Sequence, residues 1–384
     1  MPGVSISDIL HRDSNNFDLL RLLAAASVIV SHAYVLARGT TGIEPLETVS
    51  AFTLGSHAVN VFFILSGLLV AASLDRSSGI VSFATGRALR IVPALAVCVL
   101  LTAIVMGPLA STLSSGHYFG SSETYAYIVR TMTLSTAAAP LPGVFGGFPQ
   151  DGIVNMPLWT LKYEVLSYGA LGLLAVLGVW KRGLLLFMAI AGLFALHVLL
   201  VPERSVGEHG VVEHMARFFT CFFLGVAAYR LRGHVRLSVA GAVLAALLLV
   251  AANGSRFEEI ASYVGVGYLA LCVAALPVAR LRRLTARGDI SYGLYIYGWP
   301  VAQLVVLAAP GIGPEGLAMA SLLLACVPAT LSWVLIEQPA MRIRHRLRMP
   351  ALPRRSASAS REPERSVFED RALDAVQSRL QRGV

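Results

Sequence analysis

Long apolar runs separated by short polar breaks dominate the chain. Ten of them, at about 17–37, 55–74, 88–108, 158–179, 183–202, 212–229, 237–252, 259–279, 290–309 and 315–336, approach the length of a membrane span. A helix needs about 20 mostly apolar residues to cross the hydrocarbon core, and backbone facing lipid must bond within its own segment. The pattern therefore predicts an all-α integral membrane protein, a bundle of about ten transmembrane helices. The ten-residue alternating segments of a membrane β-barrel are absent, and no internal repeat is evident. The run 121–141 is polar at its start and broken by Arg130, so it reads as an interfacial or re-entrant segment. The first run is broken by Arg21 and His32 and lacks a basic lead, so it reads as a retained span, not a signal peptide.

Composition agrees with this division. Of 384 residues, 56% are apolar and only 14% charged, against roughly 25% charged in soluble domains. Charge then orients the spans. Four alternate connections carry twelve cations: Arg76, Arg87, Arg90, Lys181, Arg182, Arg230, Arg232, Arg236, Arg280, Arg282, Arg283 and Arg287. The opposite connections carry only Arg38, Arg130, Arg204 and Arg256. By the positive-inside rule the richer face and both termini are cytoplasmic, which for a bacterial protein means the inner membrane. The chain divides into a lead (1–16), a membrane domain (17–339) and a basic tail (340–384) holding eleven Arg and five acidic residues. Within the tail, 354–366 reads as disordered and 368–382 as an amphipathic helix suited to a lipid surface. Since the excess charge is topology and tail, a nucleic-acid partner is not implied. Cys98, Cys221, Cys272 and Cys326 lie singly in apolar stretches and read as buried thiols, with no metal-ligand spacing.

Ionisable groups inside a membrane helix are costly and usually face a partner or a water-filled cavity. Arg21 and His32 are eleven residues apart, three turns plus roughly 20° of rotation, so they share one face about 16 Å apart. Asp18 lies near the same stripe and can pair with Arg21, which also fits a paired anchor at the helix end. His32, deeper and toward the outside, suits proton transfer near neutral pH; an interhelical hydrogen bond is the plainer alternative. Arg87 and Arg90, at i and i+3 on the lead-in to the third span, suit a phosphate clamp as well as ordinary cytoplasmic anchoring. Lys162 and Glu164 start the fourth span from the outer side, which brings them to the depth of His32. Ser66, followed by Gly67, is a candidate nucleophile but more readily a site of close helix packing.

Several segments together resemble the acyltransferase-3 family of membrane O-acyltransferases. "RLLAAASVIVSH" matches its Arg, ten residues, His pattern on Arg21 and His32. "VNVFFILSGLLV" matches FFxxSGxL on Phe62, Phe63, Ser66 and Gly67, and "RALRIVP" matches RxxRIxP on Arg87, Arg90 and Pro93. "LWTLKYE" matches LWxLxxE on Trp159 and Glu164, and "SYGLYIYGWP" and "IEQP" match the closing motifs. The first of these closing motifs usually carries a histidine where this chain has Gly298; His57, before the second span, is an additional one.

The resemblance implies acyl transfer, most readily acetyl, from cytoplasmic acyl-CoA to a hydroxyl of an extracytoplasmic or lipid-linked glycan. Acyl-CoA is then a co-substrate, with no permanently bound cofactor and no metal. Arg87 and Arg90 would lie near the CoA phosphates, with Arg21 lower in the same channel. His32 would act as base or acyl relay, Glu164 would assist it, and Asp18, Ser66 and Lys162 would support. Acceptor specificity would lie in the loop 109–157, whose Tyr118, Phe119, Tyr125, Tyr127, Phe145 and Phe148 are able to stack on sugars. A transporter without transfer chemistry is the competing class, although paired interrupted half-helices are lacking.

Overall fold

A computed structural model describes residues 3–11, 15–39, 43–50, 52–136, 139–148, 150, 152–200, 210–278, 285 and 288–347. Arg204, Arg280, Arg282, Arg283, Arg287 and the tail segments 354–366 and 368–382 lie outside the described residues. A helix occurs at each of the ten expected places. Following the four-residue α1 (Ile6–Ile9) come α2 (Phe17–Arg38), α3 (Leu54–Asp75) and α4 (Ile80–Leu101). A π-turn, Thr102–Met106, carries α4 into α5 (Gly107–Ala110). The short α6 (Ser115–Gly120) and α7 (Ser122–Met132) precede α8 (Leu161–Val176), α9 (Gly183–Leu200), α10 (Val211–Arg230), α11 (Val239–Ala252) and α12 (Glu258–Ala274). Then follow α13 (Ser291–Ala308), α14 (Pro314–Ser332), a second π-turn (Trp333–Glu337) and α15 (Gln338–Leu347). Five of these helical stretches are long and apolar enough to cross a membrane: Phe17–Arg38, Leu54–Asp75, Ile80–Ala110, Val211–Arg230 and Pro314–Ile343.

Three boundaries differ from the sequence reading. Arg87 and Arg90 lie within α4, which begins eight residues before the expected start of its apolar run at 88; Arg87 meets Tyr168 of α8 and Arg90 meets Asp289, just before α13. The doubtful segment 121–141 forms only the eleven-residue α7, capped by the Ser121 hydroxyl accepting from the Glu123 N–H. At 1.5 Å per residue it is roughly 16 Å long, about half a bilayer core. Past Pro339 the helix continues to Leu347 instead of giving way to the tail.

The lead is anchored at one end of the bundle. Val4–Ser5 pairs antiparallel with Arg236–Leu237, between α10 and α11. The Asn16 amide Nδ2 donates to Leu276 O at 2.7 Å, just beyond α12. Two connections expected on the cytoplasmic side thus meet the N-terminal lead at that end.

Helices α3 and α10 form the tightest pair. A Cβ added to Gly67 would lie 1.9 Å from Phe222 O, and one added to Gly225 would lie 1.9 Å from Ile64 O. The glycines therefore let each backbone rest on the other, the small-residue packing that membrane helices favour. Around this seam Phe63, Phe218, Phe222, Tyr163 and Tyr263 fill the core. The proline break at Pro300 is compensated. Pro300 cannot donate to Ile296 O, which instead accepts from Asn155 Nδ2 at 2.9 Å and Cys98 Sγ at 3.4 Å. Cys98 and Cys221 are buried as expected, whereas Cys326 is exposed on the outer surface of α14.

Candidate functional site

Two polar groups stand out against this apolar frame, one near each end of α2. The first surrounds His32. The second half of α2, the loop after it, the first turns of α3, the 3-10 turn Met156–Thr160 before α8, Arg217 and Phe218 of α10 and Tyr295 of α13 line a half-open cavity of about 150 Å³. His32, Ser31, Glu44, Glu47, Ser56, Trp159, Thr160, Arg217 and Tyr295 supply its polar and aromatic wall. The His32 imidazole stands edge-on to Trp299, with ring centroids 4.9 Å apart, and forms no hydrogen bond among the described residues. Trp299 is itself fixed by its indole N–H donating to Ile153 O at 3.1 Å. The neighbouring Gly298 allows α13 to approach α2, since a Cβ there would lie 2.7 Å from Ile29 Cγ1. His57 stands elsewhere, beside Phe52, with Nε2 and Ser50 Oγ 2.8 Å apart.

Glu44 is buried in this wall. One carboxylate oxygen accepts from the Ser31 hydroxyl, the other from the Leu54 N–H at 2.7 Å, one of the free donors of the first turn of α3. Thr160 Oγ1 and Tyr295 OH lie 2.6 Å apart and close the floor. Neither Glu44 nor Arg217 entered the sequence reading. Glu44 lies in a polar loop without local signal, but Arg217, a lone cation within the apolar run of α10, was visible as one.

The second group gathers the arginines. Arg21 donates to Asp289 Oδ2, and Arg90 donates to the same oxygen at 2.8 Å. Arg90 also meets Glu337 at 3.5 Å, and Arg21 meets Asp18 at 3.4 Å as its spacing predicted. Asp289 is held by the hydroxyl and N–H of Ser291. Its approach depends on Gly288, where a Cβ would fall 1.9 Å from Trp333 Nε1. The π-turn Trp333–Glu337 ends on Glu337, which accepts from Ser332 Oγ at 3.1 Å. Four segments, α2, α4, the start of α13 and the end of α14, are thus tied by alternating charges, and buried charges survive in such networks only when paired. Asp289 flanks a predicted span without any spacing signal, so the sequence reading passed it by, while Glu337 entered that reading only as part of the "IEQP" motif, with no role given to it.

Arg87 faces a different partner, its guanidinium carbon 5.8 Å from the centre of the Tyr168 ring. It takes part in no ion pair among the described residues, and its Nε is buried without a hydrogen-bond partner. Tyr168 donates to Glu164, and Ser66 Oγ lies 3.0 Å from Tyr168 OH and 3.4 Å from Glu164 Oε1. Glu164 therefore joins Ser66, Tyr168 and Arg87; it is not part of the wall around His32. The cause is the 3-10 turn Met156–Thr160, which presents Trp159 and Thr160 to the cavity and leaves Glu164 one helical turn further in, roughly 6 Å along the axis. Lys162 rests over the Tyr163 ring at 4.8 Å. Of the loop aromatics, Tyr118, Tyr127 and Phe145 are buried; the Tyr118 hydroxyl donates at 2.7 Å to Ala103 O, a carbonyl of the first π-turn. Phe119 and Tyr125 remain exposed.

Residues 14–337 match the family described as "Acyltransferase domain", known as acyltransferase-3, so the match opens just before α2 and closes on Glu337. The chain belongs to the acyltransferase-3 family. It is an acyltransferase, and both polar groups lie wholly inside the family's domain. Among its relatives, "Nodulation protein 10" of Rhizobium leguminosarum bv. viciae is 31% identical over 359 residues, covering 86% of this chain and 94% of the relative. The "O-acetyl transferase" of Shigella phage Sf6 is 29% identical over 344 residues, 85% of this chain and 95% of the relative. "Exopolysaccharide production protein ExoZ" of Rhizobium meliloti (strain 1021) is 27% identical over 321 residues, 77% and 92% of the two chains. No solved structure matches the chain at a significant level. Within this acyltransferase-3 domain, one group is a network of arginines and carboxylates and the other a separate cavity lined by an imidazole with no hydrogen bond among the described residues.

Proposed function

We propose that this protein moves an acyl group, most readily acetyl, from cytoplasmic acyl-CoA to a glycan hydroxyl on the outer side of the membrane or on a lipid carrier. The observation that carries this reading is the separation along α2: Arg21 lies in the charged network, His32 in the cavity, about 16 Å apart by helix rise. An extended CoA arm is of comparable length. Arg87, with no ion pair among the described residues, and Arg90 and Arg21, paired with carboxylates, are the cations for the CoA phosphates. Guanidinium suits this role because its planar fork bonds two phosphate oxygens at once. We take all ten helices to cross the inner membrane with both ends of the domain in the cytoplasm.

In the reaction a glycan hydroxyl attacks the thioester carbonyl and its proton passes to His32. The resulting tetrahedral intermediate expels CoA thiolate, which takes the proton. The C–S bond breaks, the C–O bond forms, and His32 is regenerated. A cavity of about 150 Å³ suffices for one six-membered ring, the size of a single sugar residue. The names of the phage O-acetyl transferase and of ExoZ, which point to O-acetylation and to exopolysaccharide production, support a carbohydrate acceptor.

The direct test compares surface and exported glycans from cells with and without the protein. O-acetyl groups are expected only where it is present; identical acetylation in both would contradict the reading. On the donor side, Arg87→Ala is expected to raise KM for acetyl-CoA about tenfold to hundredfold, as losing a charge-assisted bond does, with kcat little changed. A change confined to glycan affinity would remove Arg87 from the donor site.

A further inference from the structure

Arg217 is a buried cation whose hydrogen-bond partners are neutral. Its residue is 8% exposed, and among the described residues it forms no ion pair. Nε donates to Asn60 Oδ1 at 2.8 Å and one terminal nitrogen to Ser56 O at 2.9 Å. Its guanidinium carbon lies 4.5 Å from the centre of the Phe52 ring and 5.1 Å from that of Phe218. Glu259, on the neighbouring α12, is engaged by His197 at 3.3 Å and by Tyr263 OH at 2.9 Å. An arginine gripped on two edges by neutral groups, between aromatic faces, holds its orientation without a carboxylate in ion-pair contact among the described residues, Glu259 acting on it only from a distance. Burying such a charge costs several kcal/mol, so the site must recover that elsewhere.

The cavity that Arg217 lines also contains His32 and Glu44. Glu44 accepts from Ser31, the residue before His32, and is the anion on that side. Before reaction, the thioester, the hydroxyl and the imidazole are all neutral. At the tetrahedral stage the carbonyl oxygen is negative and the imidazole positive. A wall with a fixed cation, Arg217, a buried and hydrogen-bonded carboxylate, Glu44, and the further carboxylate Glu47, with no ion pair between them among the described residues, complements that separated charge, and charges already oriented require no reorganisation during the step.

We infer that Arg217 holds the acyl carbonyl oxygen as it becomes an oxyanion, with Glu44 as the opposite charge favouring the imidazolium on His32. This rests on the transfer reading above. The steps are unchanged: the hydroxyl proton goes to His32, negative charge gathers on the carbonyl oxygen facing Arg217, and it returns to carbon as CoA thiolate departs and is protonated.

The test uses the full protein in liposomes with acetyl-labelled acetyl-CoA. One arm contains a glycan extract from cells lacking the protein, and the other only water as acceptor. Arg217→Met is expected to slow label release about 10²–10³-fold in both arms, the loss typical of an oxyanion donor. The dissociation constant for acetyl-CoA should stay within twofold, which also reports folding. Arg217→Lys, retaining charge but not the fork, should lose less, and it replaces the Met variant if that one fails to accumulate. Loss in the glycan arm alone would make Arg217 an acceptor-recognition residue; weakened acetyl-CoA binding would make it a donor handle; an unchanged rate would remove it from the reaction. Each of these overturns the inference. If the water arm is too slow to detect, an unchanged kcat with a raised KM for glycan overturns it equally. A wild-type protein that moves no label, or a His32→Ala variant that is fully active, fails the transfer reading itself.

Discussion

His32→Ala is expected to lower acyl transfer by about 10²–10⁴-fold, the usual contribution of a positioned general base, while the protein still inserts and accumulates. The two halves of that expectation have separate grounds. Activity should fall because His32 is a base open to the cavity and free of hydrogen bonds among the described residues. Folding should persist for the same reason: removing it orphans no described donor or acceptor. The loss is an edge-on contact with Trp299, worth about 0.5–1.5 kcal/mol, beside a cavity that already exists. Near-normal transfer by the purified variant would remove His32 from the chemistry.

The second large effect concerns folding. Gly225→Ala and Gly67→Ala each place a methyl group 1.9 Å from a backbone carbonyl oxygen of the facing helix. No rotamer change relieves a clash with backbone, so α3 and α10 must separate. Each change is expected to cost at least the roughly 1–3 kcal/mol typical of overpacking, read as a lowered unfolding midpoint in detergent. Separation of this seam also moves Asn60 from Arg217, so activity should fall with stability. Gly192→Ala on α9 supplies the contrast, since nothing lies within 4 Å of its added Cβ. There the helix should gain roughly 0.5–1 kcal/mol from the lost flexibility of the unfolded chain. Equal behaviour of Gly225→Ala and Gly192→Ala would contradict the close-packed seam.

Much of this architecture was legible because its cause is local. Apolar length marks the ten helices, and eleven-residue spacing puts Arg21 and His32 on one face of α2. The Asp18–Arg21 pair follows from helical geometry alone. What escaped depends on chains meeting far from each other in sequence. Asp289 is an ordinary acid before a span until Gly288 and Ser291 aim it at Arg21 and Arg90. Glu337 gains its position from a π-turn, and Glu164 loses its expected place beside His32 to a 3-10 turn. Neither turn leaves a periodic signature in apolar positions. The loop aromatics show the same limit: Tyr118 reads as a sugar platform but closes a carbonyl of the first π-turn. At Ser66 the packing reading holds through Gly67 beside it, which rests against α10, while the Ser66 hydroxyl meets Tyr168.

Acyl transfer across the membrane makes a demand that sugar transport does not: the label must leave CoA on one face and appear on glycan at the other. Proteoliposomes loaded with acetyl-labelled acetyl-CoA and bathed in glycan extract from cells lacking the protein measure this directly. The account predicts covalent label on the external glycan with wild-type protein and none with His32→Ala. Label that remains on CoA while glycan crosses the bilayer, equally with either protein, would contradict it.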